Sequence, residues 1–408
     1  MAEMLVIADD LTGALDSGVQ LARKGDRVLV SLDCKDGLKH ASAADVLVID
    51  SESRHDDASV AYEKVWSLVS EGLSLGIKHM YKKTDSGLRG NVGAELSALM
   101  EASGASHVNF VPAYPKQART TEGGVHYVAG TPLAKSIFSI DPVNPVTCSR
   151  VDDLIHLQSD VTVTNWCEGA DLEGIVVYDC ATDEDMRLIA DMLQSIDPDA
   201  PMAGCAGLLE MLPRCSEEAR KLAPEDLDAR LVVVSGSVNA VTSAQLDESE
   251  RRGAYRAHLP IREILAGDWG QSDACAFVGR VLVEGEGCPV ILIDTLGTQL
   301  SKDEIANGDT ARKISDAAGL CAAVVSKTTE RTTMVVGGDA LVGFVNEVGA
   351  SLLEPIDELF PGIVLAHYEG AHASGALITK SGAFGNVGLF HEIHQALEEK
   401  VGGVLSCR

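Results

Sequence analysis

Ten consecutive positions, Lys82-Lys83-Thr84-Asp85-Ser86-Gly87-Leu88-Arg89-Gly90-Asn91, hold three cations, one carboxylate, two hydroxyls and two glycines. Lys83 and Arg89 can attract an anion, Asp85 can accept a proton or orient a hydroxyl, and the glycines let backbone come close to a ligand. A second charged group follows the apolar run Met4 to Ala8, where Asp9 and Asp10 are adjacent. Neighbouring carboxylates repel unless a cation or a shared proton stabilises them, which makes Asp10 a candidate catalytic base or part of a magnesium-associated site. The plainer reading is that Asp10 caps a helix and Asp9 is solvated. Arg54 closes a third such group, after Val46 to Asp50. In the second half three turns are built from small residues: Ser235-Gly236-Ser237, Gly337-Gly338-Asp339-Ala340 and Lys380-Ser381-Gly382. Hydroxyls and free backbone amides at a helix start suit a phosphate, with Lys380 as the candidate cation. None of the three is a Walker A loop, since the residue before Lys380 is Thr379.

Such groups need strands that end beside one another. Short apolar runs at Met4 to Ala8, Arg27 to Leu32, Val46 to Asp50, Ile77 to Tyr81 and His107 to Val111 read as strands. The runs between them carry helical spacing, as in Leu11, Leu15, Val19 and Ala22. Tyr62, Val65, Trp66, Val69 and Leu73 form another stripe, predicted to be core, and Gly93 to Glu101 a further helix with Asn91 as its cap. The connection from Pro112 to Tyr127, with Tyr114, Arg119, His126 and Tyr127, reads as a functional loop. His391 and His394 lack a third ligand and read as helix surface, so no protein-held metal site is expected. Charge and prolines between Pro213 and Arg230 predict a linker at 213–230. The expected architecture is α/β: two α/β domains with mainly parallel sheets and a cleft between them, over 1–212 and 231–408.

The composition narrows the partners. Thirty-three basic residues stand against 61 acidic ones, for a net charge of -28, which argues against a general basic surface for nucleic acid or an anionic membrane. An anionic ligand must then be held by a few local cations. The ten cysteines include no C-x-x-C pair, which points to reduced thiols. No apolar run reaches the roughly 20 residues that span a bilayer, so a cytoplasmic protein is expected.

Taken in order, the motifs resemble those of the four-carbon acid sugar kinases, which phosphorylate threonate, erythronate or their oxidised relatives. Asp9-Asp10-Leu11-Thr12-Gly13-Ala14 is similar to the family's opening, Ser53-Arg54 to its Ser-Arg pair, and Lys82 to Gly90 to its Lys-x-Asp-Ser-x-x-Arg-Gly loop. Phe110 to Pro115, Ser235-Gly236-Ser237, Gly337-Gly338-Asp339 and Thr379 to Gly385 complete the series. The resemblance implies that Asp10, Arg54, Lys83, Thr84, Asp85 and Ser86 contact a sugar acid, while Ser235, the Gly337 turn and Gly382 contact ATP. Gly87 departs from a common threonine, Ala118 from a glycine, and Ala340 from a threonine or serine. The reading is ATP-dependent, Mg2+-assisted transfer to a terminal hydroxyl, with domain closure excluding water. Arg54, with Lys83 or Arg89, would hold the carboxylate through bonds worth roughly 1.5–3 kcal/mol, and Asp10 or Asp85 would take the hydroxyl proton. A sensor without turnover and an aldolase or isomerase using Lys83 as a Schiff base are the alternatives, and a homodimer is left open.

Overall fold

The computed structural model describes residues 1–406 apart from 142, 216–226, 268, 302, 303 and 305–307. The chain divides into two compact units, Met1–Lys221 and Leu222–Arg408. Most of the linker expected at 213–230 lies outside the described residues.

The first unit runs β1 (Met4–Ala8), α1 (Leu11–Ala22), β2 (Val28–Ser31), β3 (Val46–Asp50), α2 (Ala58–Ser74), β4 (His79–Lys83), α3 (Val92–Ser103) and β5 (His107–Val111). It continues through β6 (Arg119–Glu122), β7 (Val125–Val128), β8 (Thr131–Pro132), α4 (Val151–His156), β9 (Val163–Asn165), β10 (Gly174–Val177), α5 (Asp183–Ile196), β11 (Met202–Gly204) and α6 (Ala206–Met211). Its main sheet has the order β2-β3-β1-β4-β11-β5-β10-β9, and every pairing is parallel. Strands such as Met-Leu-Val-Ile-Ala and Val-Leu-Val-Ile-Asp are buried throughout, as a sheet covered on both faces requires. The pattern is α/β with mainly parallel sheets, as the apolar runs imply.

The second unit runs β12 (Leu231–Ser235), α7 (Ala240–Arg251), β13 (Tyr255–His258), α8 (Ile261–Ala266), α9 (Gln271–Glu284), β14 (Val290–Asp294), α10 (Gly308–Thr328), β15 (Thr332–Val336) and α11 (Gly338–Val348). The strands β16 (Ala350–Phe360), β17 (Ile363–Gly370) and β18 (Ser374–Lys380) and the helix α12 (Leu389–Ser406) complete it. Strands β13-β14-β12-β15-β18 are parallel neighbours, and β17 and β16 continue the order antiparallel.

Four local expectations change. The connection after β5 is not an irregular loop, because β6, β7 and β8 form a three-stranded antiparallel sheet. Its turn is Gly123-Gly124, both at positive φ (59° and 72°), the pair a tight hairpin favours. Trp66 is 44% exposed: it lies one residue, about 100° of helix, beyond Val65, which takes the core side. Asn91 makes no side-chain cap. Its Nδ2 donates to the Ser53 and Asp56 carbonyls, and Gln158 Oε1 accepts from the Gly93 amide instead. His391 and His394 are half-buried and donate to the Ser249 and Ala229 carbonyls, so they anchor α12 rather than face water.

Candidate active site

β3, β1 and β4 lie side by side, and Asp50, Ala8 and Lys83 share one rung at their carboxyl ends. Whatever follows those strands must emerge together, at the point where the strand order diverges on either side of β1. Asp9-Asp10, Ser51 to Arg54 and Thr84 to Arg89 are those residues. Residues 31 to 45 positions apart in the sequence therefore come together.

Asp10 does cap α1, with Oδ1 accepting from the Gly13 amide at 2.9 Å and Oδ2 from the Thr12 hydroxyl at 2.7 Å. The capping and functional readings hold together, because Arg54 Nη1 also donates to Asp10 Oδ2 at 2.7 Å. Asp9 is not solvated. It is 3% exposed and accepts from Arg54 Nε at 2.7 Å, and its other oxygen has no hydrogen-bond partner among the described residues. Burial alone would push the Asp10 carboxyl up, but Arg54 and then Lys83 outweigh it and hold it below the usual range.

Asp85 sits in a fork formed by Arg89, with Nε at 2.8 Å and Nη2 at 2.9 Å, and takes the Gly87 amide at 3.1 Å. Arg54 Nη2 stands 3.6 Å away. Against the cost of burial, Arg89 and Arg54 hold Asp85 well below the ordinary carboxylate range. Arg89 also donates to Asp141 at 3.0 Å. Lys83 Nζ donates to the Thr84 carbonyl at 2.7 Å, and the buried Thr84 hydroxyl has no partner among the described residues. Buried polar atoms left free in this way are what a ligand hydroxyl would satisfy.

Lys82 and Lys83 end β4 and point to opposite faces. Lys82 is completely buried, 3.0 Å from Glu95 Oε2, while Ser53 Oγ donates to Glu95 Oε1. The pair is tied to the chain beside Arg54 through Ser53, and Lys82 Nζ donates to the Lys83 carbonyl at 2.8 Å. Only the strand's alternation could have separated the two lysines, and Glu95, inside an apolar helix, carried no signal.

In the second unit the three glycine turns converge. Gly236 N donates to the Val336 carbonyl at 3.0 Å and Gly337 N to the Lys380 carbonyl at 2.9 Å. Gly337 has φ 108°, a conformation that disfavours any side chain. A Cβ on Gly382 would fall 2.4 Å from Ser237 Oγ. Leu341 makes the first α11 bond back to Gly337, so the amides of Gly338, Asp339 and Ala340 have no partner within the helix. Ser235 Oγ is buried and accepts from the Ser237 amide at 3.3 Å.

Lys380 lies deeper than a phosphate-facing cation would. It is 1% exposed and donates to Thr242 Oγ1 at 3.1 Å and to the Ser381 and Gly382 carbonyls at 3.0 and 3.2 Å. Burial pushes its amine down to about 7. At the same sheet end, Asp294 receives Arg256 at 2.6 Å and His258 Nδ1 at 2.8 Å.

Two family models match the chain: a sugar-binding N-terminal domain over residues 4–212 and a nucleotide-binding C-terminal domain over 232–390. The chain belongs to the family that these two domains define. It is 29% identical to a D-threonate kinase of Salmonella typhimurium, with 94% of this chain and 96% of that one aligned. It is 31% identical to a 3-oxo-tetronate kinase of Escherichia coli over 65% of this chain and 72% of the other. A crystal structure of a Salmonella typhimurium LT2 protein has the same fold, with a TM-score of 0.78 at 22% identity, covering 96% of this chain and 98% of that one.

Proposed function

We propose that this protein is an ATP-dependent kinase that phosphorylates a terminal hydroxyl of a four-carbon sugar acid, of the threonate, erythronate or 3-oxo-tetronate class. The observation that carries the reading is the meeting of Asp9, Asp10, Arg54, Lys83 and Asp85 at one sheet end, in a domain matched as sugar-binding. A D-threonate kinase aligned over nearly its full length and a 3-oxo-tetronate kinase aligned over 72% of its length support it. Asp10, Arg54, Lys83, Thr84, Asp85, Ser86 and Arg89 surround the acid. Ser235, Gly236, Ser237, the Gly337 to Ala340 turn and Gly382 receive the ATP phosphates through backbone amides and small hydroxyls.

Asp10 is the better candidate to accept the hydroxyl proton. Both carboxylates are hydrogen-bonded, but the Asp85 side chain, in the Arg89 fork, is 10% exposed and that of Asp10 is 24% exposed. Its depressed basicity fits a loose phosphoryl transition state, which needs a well-aimed hydroxyl more than a strong base. Thr12 and the Gly13 amide hold the carboxylate in place, and Arg54 fixes its outer oxygen.

Among the described residues no group of three or more acidic, His or Cys side chains is placed to hold a metal ion. The exposed Asp339, in the first turn of α11, fits a Mg2+ that arrives on the nucleotide and keeps its waters. Such an ion neutralises charge on the transferring phosphate. Lys380 sets the carbonyls of Ser381 and Gly382 in the neighbouring turn. The Schiff-base alternative at Lys83 leaves the glycine turns of the second unit without a role.

The test is a screen of four-carbon acids with ATP, read by ADP release, on the parent and Asp10→Asn. Turnover with at least one acid, lowered about 10²–10⁴-fold in kcat by the substitution, is expected. ATP binding without ADP release from any acid would establish the sensor reading instead.

A further inference from the structure

Resting on the sugar-acid kinase reading, we infer that the substrate's carboxylate is held by Arg119 together with Lys83, and not by Arg54 or Arg89. Arg54 already donates to two carboxylates, Asp9 and Asp10, and Arg89 to two more, Asp85 and Asp141. Each of these guanidiniums is thus already balanced by two carboxylates, and an entering acid would meet their negative charge as well. Arg119 has no carboxylate within salt-bridge distance among the described residues. Among the described residues its side chain makes one hydrogen bond, from Nη1 to the Gln117 carbonyl at 2.5 Å, and its buried Nε has none. Lys83 likewise has no carboxylate within that distance among the described residues, and its Nζ donates to a backbone carbonyl. Arg119 and Lys83 are therefore the cations of the cluster that no carboxylate neutralises at salt-bridge distance among the described residues.

Arg119 stands in the cluster although it comes from β6, outside the main sheet. Its guanidinium lies 5.5 Å from the Phe138 ring centre, and that of Arg89 lies 5.0 Å from the same centre. Asp85 and Arg89 both act electrostatically on it, and burial pulls it below its ordinary value. The hairpin is pinned to the Lys82 to Asn91 stretch through His126. The Ser86 carbonyl can only accept, so His126 Nε2 carries the hydrogen at 3.2 Å, while Nδ1 accepts from the Thr121 hydroxyl at 3.0 Å.

The backbone treats Arg119 as it treats the other two arginines. Glu52, Leu88, Ala118 and Ala129 are the described non-glycine residues at positive φ. The first three precede Arg54, Arg89 and Arg119 by one or two positions. Left-handed backbone costs a side-chain-bearing residue about 1–2 kcal/mol, and such strain persists where a site demands a particular geometry. Ala118, at φ 55°, therefore aims Arg119 as Leu88, at φ 51°, aims Arg89.

The experiment compares the tetronate that the parent turns over best with erythritol and threitol, in which CH2OH replaces the carboxylate. Arg119→Gln is expected to raise the acid's KM about 10- to 100-fold, leaving kcat within about threefold and tetritol kcat/KM within about twofold. Arg119→Lys restores most of the loss as a point charge. An unchanged acid KM overturns the inference, and so does an equal loss on acid and tetritol, which marks a purely structural role. If Arg119→Gln does not fold, Arg119→Lys decides: a severalfold rise in acid KM alone supports the clamp, and no rise overturns it. If the parent turns over no acid, the kinase reading fails by itself. Calorimetric tetronate binding then judges the clamp, with at least tenfold weakening by Arg119→Gln in its favour and unchanged or absent binding against it.

Discussion

At the end of the first sheet Asp9, Asp10, Asp85 and Asp141 neutralise Arg54 and Arg89 in one cluster held chiefly by ion pairs between side chains. At the end of the second, the Ser235, Gly337 and Gly382 turns meet through backbone bonds, and the buried Lys380 is spent on a hydroxyl and two carbonyls. The two arrangements suit different tasks. Backbone amides recognise a phosphate whatever it is attached to. A balanced set of side-chain charges discriminates, because it accepts only a ligand whose own charges and hydroxyls complete it.

The contrast breaks most sharply at Arg54. Arg54→Ala leaves Asp9 and Asp10 buried without their cation, a loss of about 3–5 kcal/mol when a buried pair is severed. The expected outcome is a fall in kcat/KM for the acid of about 10³-fold or more, a matching drop in denaturant midpoint, and an unchanged KM for ATP. Acid turnover within tenfold of the parent would mean that the cluster is not the acid site.

A smaller effect sharpens the picture of the side-chain site. A Cβ at Gly87 would lie 2.7 Å from the Phe138 ring, so Gly87→Thr should overpack the loop by about 1–3 kcal/mol and raise acid KM. Phe138→Ala on that background should recover at least half of the loss, whereas simple additivity in the double-mutant cycle would deny the coupling.

The smallest effect concerns protons on the nucleotide side. Lys380 titrates at about 7 in the folded chain against about 10.4 unfolded. Between those values the unfolded chain holds a proton that the native one lacks, so this residue makes stability rise with pH across that window. A phosphate near the turn would draw the proton back, so ATP binding at pH 8 should take up between about half and one proton. Calorimetry in buffers of different ionisation enthalpy measures this, and Lys380→Met should abolish it. Zero uptake in the parent would place the phosphates away from Lys380.

Much of this was legible beforehand. The apolar runs of β1, β3 and β5 have the boundaries read from their residues, and the charged or glycine-rich stretches after them do lie at strand ends. β4 was read two residues early, which hid the opposed directions of Lys82 and Lys83. The hairpin signal Gly123-Gly124 was present but was outweighed by the polar character of its flanks.

What the chain settled unaided were its elements and the chemistry each one carries, because apolar period, caps and turn residues act over a few positions. Folding in three dimensions decided the partners. That Arg54 serves Asp9 and Asp10, that Lys380 turns inward and that Arg119 keeps its charge unspent all follow from strand order and burial. Both depend on contacts between residues tens to more than a hundred positions apart, which no local pattern encodes.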